Sequence, residues 1–359
     1  MIYFHSVGPL IKGWRKYYLT CSVNDAERFF RYISLNYRTI HLKEYWEQIN
    51  GHIPWKKKQI VLTFDDGYLD NWLYAYPLLV KYNLKATIFI SPEFVDPRDL
   101  IRHNISESGF LSWNEMSEME RSGLIDIQSH TLTHTKYFVS DKLRGFHHPG
   151  ADFIYTLGNI NSEFKPFYIN DPTIERKLPY GFPFFEEKSS LIARKVEINP
   201  AFIEKCISIF CNYDFNKYNF KTAYKIAEKL YNEFKSKNEI ITKVESDNEH
   251  EERILSEIVK SKKIIEQKLN KKVEFLCWPH GDNNALLHKI ALDSGYLMTT
   301  IGKCSSGSFE KETRIPSRLG IKYFNSFNKI KTIFKLKALS GDRPYAYILG
   351  KIRQFRYKG

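Results

Sequence analysis

The chain has 359 residues, 43% of them hydrophobic, and carries a formal net charge of +13. That apolar content excludes a disordered chain, and no repeat or low-complexity tract is present to build a solenoid or fibre. The longest apolar runs, 74–80 and 86–90, fall far short of the roughly 20 residues that a membrane-spanning helix needs.

In chain order, residues 1–6 read as a short strand and 24–35 as a helix entered through Ser22 or Asn24. Asp25 supplies early negative charge there, and Phe29, Phe30, Ile33 and Leu35 supply apolar contacts. The alternation continues over 40–48. Residues 59–64 form an apolar strand, 71–82 a helix with a proline inside its pattern, and 86–90 a second buried strand. Ser112 and Glu115 make a capping box for a helix over 113–122, which Gly123 closes before a strand at 125–128. Repeated βα units of this kind argue for an α/β protein with a parallel sheet, open or closed into a barrel.

The pattern breaks after Tyr137. Residues 143–185 are rich in Gly, Pro, Asn and aromatic side chains without sustained periodicity, and read as an ordered, loop-rich excursion. Helices over 200–210, 222–235 and 249–269 follow, the last repeating Ile254, Ile258, Ile265 and Leu269 among charges. A strand at 273–277 resumes the βα rhythm, so about 143–252 is expected to be an insertion within one unit spanning 1–328.

Residues 329–359 form a basic C-terminal segment, in which Lys329, Lys331, Lys335, Lys337, Arg343, Lys351, Arg353, Arg356 and Lys358 face one acid, Asp342. Ile330, Phe334, Tyr347 and other apolar residues stand between them. The mixture suits peripheral contact with an anionic membrane face, and equally an ordinary basic helix packed on the domain. The start, Met1-Ile2-Tyr3-Phe4-His5, has no basic lead followed by a long apolar run, so no export signal is expected. The five cysteines, Cys21, Cys206, Cys211, Cys277 and Cys304, have no paired or metal-ligand spacing and read as thiols in a reducing compartment.

Two motifs carry chemistry. Ile60-Val61-Leu62-Thr63-Phe64-Asp65-Asp66-Gly67 ends an apolar run in adjacent carboxylates, which a strand's alternation aims in different directions. One suits a metal and its neighbour a proton; a plain Asp-Asp-Gly turn is the competing reading. Ser129-His130-Thr131-Leu132-Thr133-His134 places two imidazoles four residues apart, as on one side of a helical turn. Each motif follows a strand, so a βα architecture delivers both to one face. Two imidazoles and one carboxylate are the three-ligand set of a catalytic zinc site.

Together, Thr63-Phe64-Asp65-Asp66-Gly67 and His130-Thr131-Leu132-Thr133-His134 resemble the paired signature of polysaccharide deacetylases, the NodB-homology or family 4 carbohydrate esterases. The resemblance implies a distorted (β/α) barrel of about seven units, in keeping with the alternation above. It implies that Asp65 is the general base and that Asp66, His130 and His134 hold one divalent metal ion, zinc by expectation. Trp278-Pro279-His280-Gly281 resembles the Tyr-Pro-Tyr-Gly strand end of the poly-N-acetylglucosamine branch, where a backbone amide serves an oxyanion hole; Trp278 and His280 replace the tyrosines. Tyr3-Phe4-His5-Ser6 is similar to that branch's N-terminal segment, making His5 the general acid. Arg314 lies near where the family carries an arginine, to orient Asp65 or bind substrate.

The implied activity is N-deacetylation of a glycan or glycan precursor, lipid- or nucleotide-linked, in surface polysaccharide synthesis. With no export signal expected, the place is the cytoplasm, at the inner membrane face. O-deacetylation or deformylation on the same scaffold, and a non-catalytic glycan-binding pseudoenzyme, are the alternatives. A nucleic-acid partner is not expected, because basic charge alone accounts for neither cluster. The aromatic stretch with Tyr155, Phe164, Phe167, Tyr168, Tyr180, Phe182, Phe184 and Phe185 offers either stacking faces for sugars or a local apolar cluster.

Overall fold

The computed structural model describes residues 1–10, 17–215, 220–301, 316, 318–340 and 342–356. Seven parallel strands form its central sheet: β1 (Ile2–Phe4), β2 (Leu62–Phe64), β3 (Ala86–Ile90), β4 (Ile125–Ser129), β5 (Phe275–Cys277), β6 (Met298–Thr300) and β7 (Leu319–Gly320). They lie in the order β6-β5-β4-β3-β2-β1-β7. β1 pairs in register with β2 through Ile2 and Leu62, Tyr3 and Thr63, and Phe4 and Phe64. Pairing between β6 and β7 is not found among the described residues, so the curled sheet is a distorted (β/α) barrel, as expected.

The strands read as continuous apolar runs because the sheet is covered on both faces. All five residues of β3 are buried. Alternation sends Leu62 and Phe64 toward the helices, into a core with Phe4, Phe29 and Phe30. The alternate residues, Thr63 and Asp65, turn to the opposite side, where both meet Arg318. The C-terminal ends of β1, β2, β4 and β5 lead directly into His5, Asp65-Asp66, His130 and Trp278. One rim of the barrel thus collects residues that are far apart in sequence.

Local signals placed most helices correctly. Ser22 caps the helix Val23–Asn36 through the Asp25 amide, and Ser112 with Glu115 forms the capping box of Trp113–Arg121. The expected helix over 71–82 is instead a π-turn, Asn71–Ala75, running into the α-helix Tyr76–Lys81. Pro77 has no N–H to give an α-type bond, and it begins the regular helix where that donor is not needed.

Two expectations need correction. The loop-rich excursion is framed by a hairpin that the sequence pattern did not announce: Lys136–Phe146 pairs antiparallel with Pro183–Ser189, with short helical turns and loops between them. Most of the longer strand is only half-buried, so it lacks the in-out alternation that marks a strand in sequence. The His130 to His134 stretch is not a helical turn either; it is an irregular loop with Thr131 and His134 at positive φ (64° and 41°). The insertion builds its own apolar centre from Phe185, Val196, Ile198, Phe202, Cys206, Leu230, Phe234 and Ile240. The following helix, Asp247–Leu269, returns Ile254, Ile258 and Ile265 to the main core.

Candidate active site

The rim encloses a cavity of about 570 Å³, lined among others by Tyr3, His5, Asp65, Asp66, His130, His134, Trp278, His280 and Arg318. Every site residue expected from sequence is therefore present except Arg314, which lies outside the described residues.

Asp66 and Gly67 turn the chain out of β2. Both have positive φ, 71° and 66°, and a Cβ on Gly67 would stand 2.7 Å from Ile90 Cγ2. The glycine is required by conformation and by space together. The turn directs Asp66 Oδ1 to within 3.4 Å of both His130 Nε2 and His134 Nε2. That oxygen is closed to solvent and has no hydrogen-bond donor. His130 Nδ1 donates to the Cys277 carbonyl at 2.7 Å, which puts the lone pair of the neutral ring on Nε2, facing Asp66.

An oxygen and two imidazole nitrogens converging this closely are the donor set of a cation site. With bonds of about 2.0–2.1 Å, tetrahedral corners stand about 3.3–3.4 Å apart, which the two observed separations match. Electrostatics agree. Burial raises the affinity of the Asp66 carboxyl for a proton, but the two imidazoles outweigh it and hold the group below the carboxylate range. Burial pushes His134 down to about 4, keeping it neutral and able to ligate. For His130, burial also opposes the proton, yet Cys277 and Asp66 draw one on: positive charge is demanded where an ion would sit.

Asp65, Cys277 and His130 make a second close triplet, but an ion there would meet a guanidinium. Arg318 donates to Asp65 Oδ1 at 2.7 Å and Oδ2 at 2.8 Å, to Thr63 Oγ1 at 2.8 Å and to the Ile301 carbonyl at 3.0 Å, and it lies 2.8 Å from Cys277 Sγ. Burial raises the Asp65 carboxyl, and the Arg318 charge and hydrogen bonds more than reverse this. Sequence reasoning missed Arg318. Its one signal was position, immediately before the strand Leu319–Gly320 and hence on the rim.

At the other wall, Trp278, Gly281 and Asp282 donate their amides to Thr300, Trp278 and Pro279 carbonyls. Pro279 has none, which leaves His280, at φ 58°, as the amide available to an incoming oxygen. The His280 ring packs 4.6 Å from that of His134. From the aromatic stretch, Tyr155 and Tyr168 line the cavity. Phe164, Phe167, Phe182 and Phe184 instead pack around Phe153, Leu157, Ile174 and Leu178, and Phe185 joins the insertion's centre.

Sequence reasoning also missed the supports of the ligand loop. Glu257, on the helix Asp247–Leu269, accepts from the Thr133 amide at 3.0 Å and from Thr133 Oγ1, and its backbone carbonyl accepts from the Leu132 amide. Lys165 of the insertion is 1% exposed and donates to the Thr133 carbonyl at 2.9 Å and to Glu93 at 2.5 Å. Only the folded chain brings these residues to the loop.

Comparison with known proteins agrees with this site. Residues 52–154 match the family described as polysaccharide deacetylase. A Bacillus subtilis (strain 168) protein named for that activity is 38% identical over 98 residues, covering 27% of this chain and 31% of the relative. A Staphylococcus aureus poly-beta-1,6-N-acetyl-D-glucosamine N-deacetylase is 31% identical over 134 residues, covering 36% of this chain and 41% of its own. The chain thus spans less than half the length of these curated relatives. In fold it is similar to a de-N-acetylase from Aggregatibacter actinomycetemcomitans, with TM-score 0.55 and 20% identity over 92% of this chain and 97% of the other. Both the Asp65-Asp66 turn and the His130 to His134 loop lie inside the segment that is similar to the polysaccharide deacetylase family.

Proposed function

We propose that this protein is a metal-dependent hydrolase that removes N-acetyl groups from a glycan or glycan precursor during surface polysaccharide synthesis. The observation that carries the reading is the pairing of an open cation site with a separately held carboxylate: Asp66, His130 and His134 converge, while Asp65 beside them is tied to Arg318. The names of the Staphylococcus aureus and Escherichia coli (strain K12) relatives support an N-acetylglucosamine polymer as the substrate class.

A divalent ion, zinc by the donor set, would polarise the acetyl carbonyl and make a water more acidic. Asp65 takes a proton from the water as its oxygen bonds to the carbonyl carbon. The His280 amide donates to the oxygen that gains negative charge. His5, on the cavity wall, supplies the proton that lets the sugar nitrogen leave when the C–N bond breaks. Acetate and a free amine result.

The place of action we propose is the cytoplasm, at a membrane face. Free thiols at Cys21, Cys206, Cys211 and Cys277 suit a reducing compartment. No described helix is long and apolar enough to cross a membrane. The helices Ser326–Leu339 and Arg343–Arg356 expose Ile330, Leu339, Tyr347 and Ile348 among lysines and arginines, which supports peripheral contact.

Metal content and acetate release test the core of the proposal. Purified protein should carry about one divalent ion per chain, and His130→Ala should lose it. Asp65→Asn should keep the ion and lose acetate release from N-acetylated glycans by about 10²-fold or more. Equal metal in wild type and His130→Ala, or an unchanged rate in Asp65→Asn, would sink the assignment.

A further inference from the structure

Away from the active site, a depression of about 180 Å³ lies between the chain leaving β7 and the helix Ser326–Leu339. Its lining includes Lys322, Tyr323, Asn328, Lys331, Thr332 and Lys335. The last four follow the i, i+3, i+4, i+7 spacing of one helix face. No described carboxylate lines the depression, and the sequence from Lys322 to Leu339 contains neither Asp nor Glu. The helix does not need this face to stay on the barrel: Leu336 is buried in the main core, Ile333 packs against that core, and Phe334 meets Tyr345 of the next helix. Lys331 and Lys335, one turn apart, repel each other, so gathering them weakens the helix on its own.

We propose that this depression binds the phosphate of a membrane glycerophospholipid. This rests on the membrane-face reading of the C-terminal helices and gives it a discrete site. A phosphate concentrates charge and several acceptor oxygens at one point, which matches lysine ammoniums from two chain segments, with the Asn328 amide and the Thr332 hydroxyl as further donors. The first turn of the helix, capped by Asn325 through the Asn328 amide, adds positive potential beside them. The surroundings favour a lipid over a free ion. Tyr323 is 40% exposed, with Lys322 Nζ 5.2 Å from its ring centre, and Leu339, one turn beyond Lys335, is 57% exposed. A ring with a polar tip and an apolar side chain suit the headgroup and upper acyl levels of a bilayer, whereas a soluble phosphate would leave both in water.

The position of the depression gives such a contact a use. The strands of the central sheet are parallel, so β7 ends at the same rim as the strands that lead into His5, Asp65 and His130. Arg318 of the active-site cavity immediately precedes β7, and Lys322 of the depression follows it closely. A lipid held there brings this rim toward the membrane surface, where a membrane-attached glycan is within reach.

The test is sedimentation with phosphatidylcholine vesicles carrying either phosphatidic acid or cholesteryl hemisuccinate, matched in surface charge so that only the chemistry of the anion differs. Wild-type protein should bind the phosphatidic acid vesicles about tenfold more tightly, through added charge-assisted hydrogen bonds. Lys331→Gln/Lys335→Gln should lose that preference. Lys329→Gln/Lys351→Gln, which removes the same charge from exposed positions outside the depression, should keep it. Glutamine preserves helix propensity, so both variants fold. Inorganic phosphate at constant ionic strength separates the sources: binding to lipid-free protein as tight as that of phosphatidic acid vesicles would overturn the lipid as ligand, and much weaker binding supports it. No preference in the wild type, or an equal preference in Lys331→Gln/Lys335→Gln, would overturn the site while leaving charge-driven membrane contact standing. Equal binding to neutral and to both kinds of charged vesicle would overturn the membrane reading and the site together.

Discussion

Arg318 and Asp65 form a fully buried, bidentate pair, the geometry in which losing one partner is most damaging. Replacing Arg318 by Gln would leave a buried carboxylate without its cation, and unfolding measurements should register a loss of about 3–5 kcal/mol. The same change alters the pH response. Because Asp65 is held below the usual carboxylate range in the folded chain, its pairing stabilises the protein above that range. The contribution is lost as pH falls through the lowered folded value. Without the guanidinium, burial, which raises the carboxyl, is opposed only by His130 and His5. The acid limb of kcat/KM against pH should therefore move to higher pH in Arg318→Gln, and an unmoved limb would show that Arg318 does not set the proton affinity of Asp65. Lysine should be a poor substitute, since one ammonium cannot match two parallel donors. Thr313-Arg314-Ile315-Pro316-Ser317-Arg318 offers two arginines four positions apart. Which of them reaches Asp65 is decided by where β7 joins β1, information absent from the local sequence.

At the scale of elements, the His130 to His134 loop is held by its neighbours and not by its own propensity. A helix would have satisfied its backbone groups internally. Instead the Leu132 and Thr133 amides go to Glu257, the Leu132 carbonyl accepts from the Glu93 amide, and the Thr133 carbonyl accepts from Lys165. These partners come from the helix Asp247–Leu269, the segment after β3, and the insertion, so the expected insertion at 143–252 also braces the candidate metal ligands. Glu257→Gln and Lys165→Met should each weaken metal binding by about 10–100-fold, the usual cost of losing an outer support. Competition with a chelator, read as ion retained per chain, measures this without reference to turnover. Affinity equal to wild type in both variants would make the bracing merely structural. A similar division of labour holds the opposite wall. Arg102 binds Glu115 and Asp96 in a buried network and donates to the Phe110 carbonyl, fixing the ring that stacks on Tyr68 at the cavity.

For the whole molecule, the net charge of +13 and the two C-terminal helices bear on the proposed place of action. Binding to vesicles containing phosphatidylserine should exceed binding to neutral vesicles, weaken as salt rises, and fall in an Ile330→Glu/Lys331→Glu variant. Equal sedimentation with neutral and anionic vesicles would remove the membrane from the proposal. Much of this protein was legible in its sequence. The βα alternation follows from burial of strands on both faces, the capping box at Ser112 from local hydrogen bonding, and the different directions taken by Asp65 and Asp66 from the period of a strand. These depend on residues within a few positions of one another. The tertiary structure alone decided that Arg318 is the partner of Asp65, that Glu257 and Lys165 hold the His130 to His134 loop, and that of the aromatic stretch Tyr155 and Tyr168 line the cavity while Phe164, Phe167, Phe182, Phe184 and Phe185 do not. Each joins side chains brought together by sheet order and by the insertion's return to the barrel, and a contact set by three-dimensional closure leaves no periodic mark on the chain that makes it.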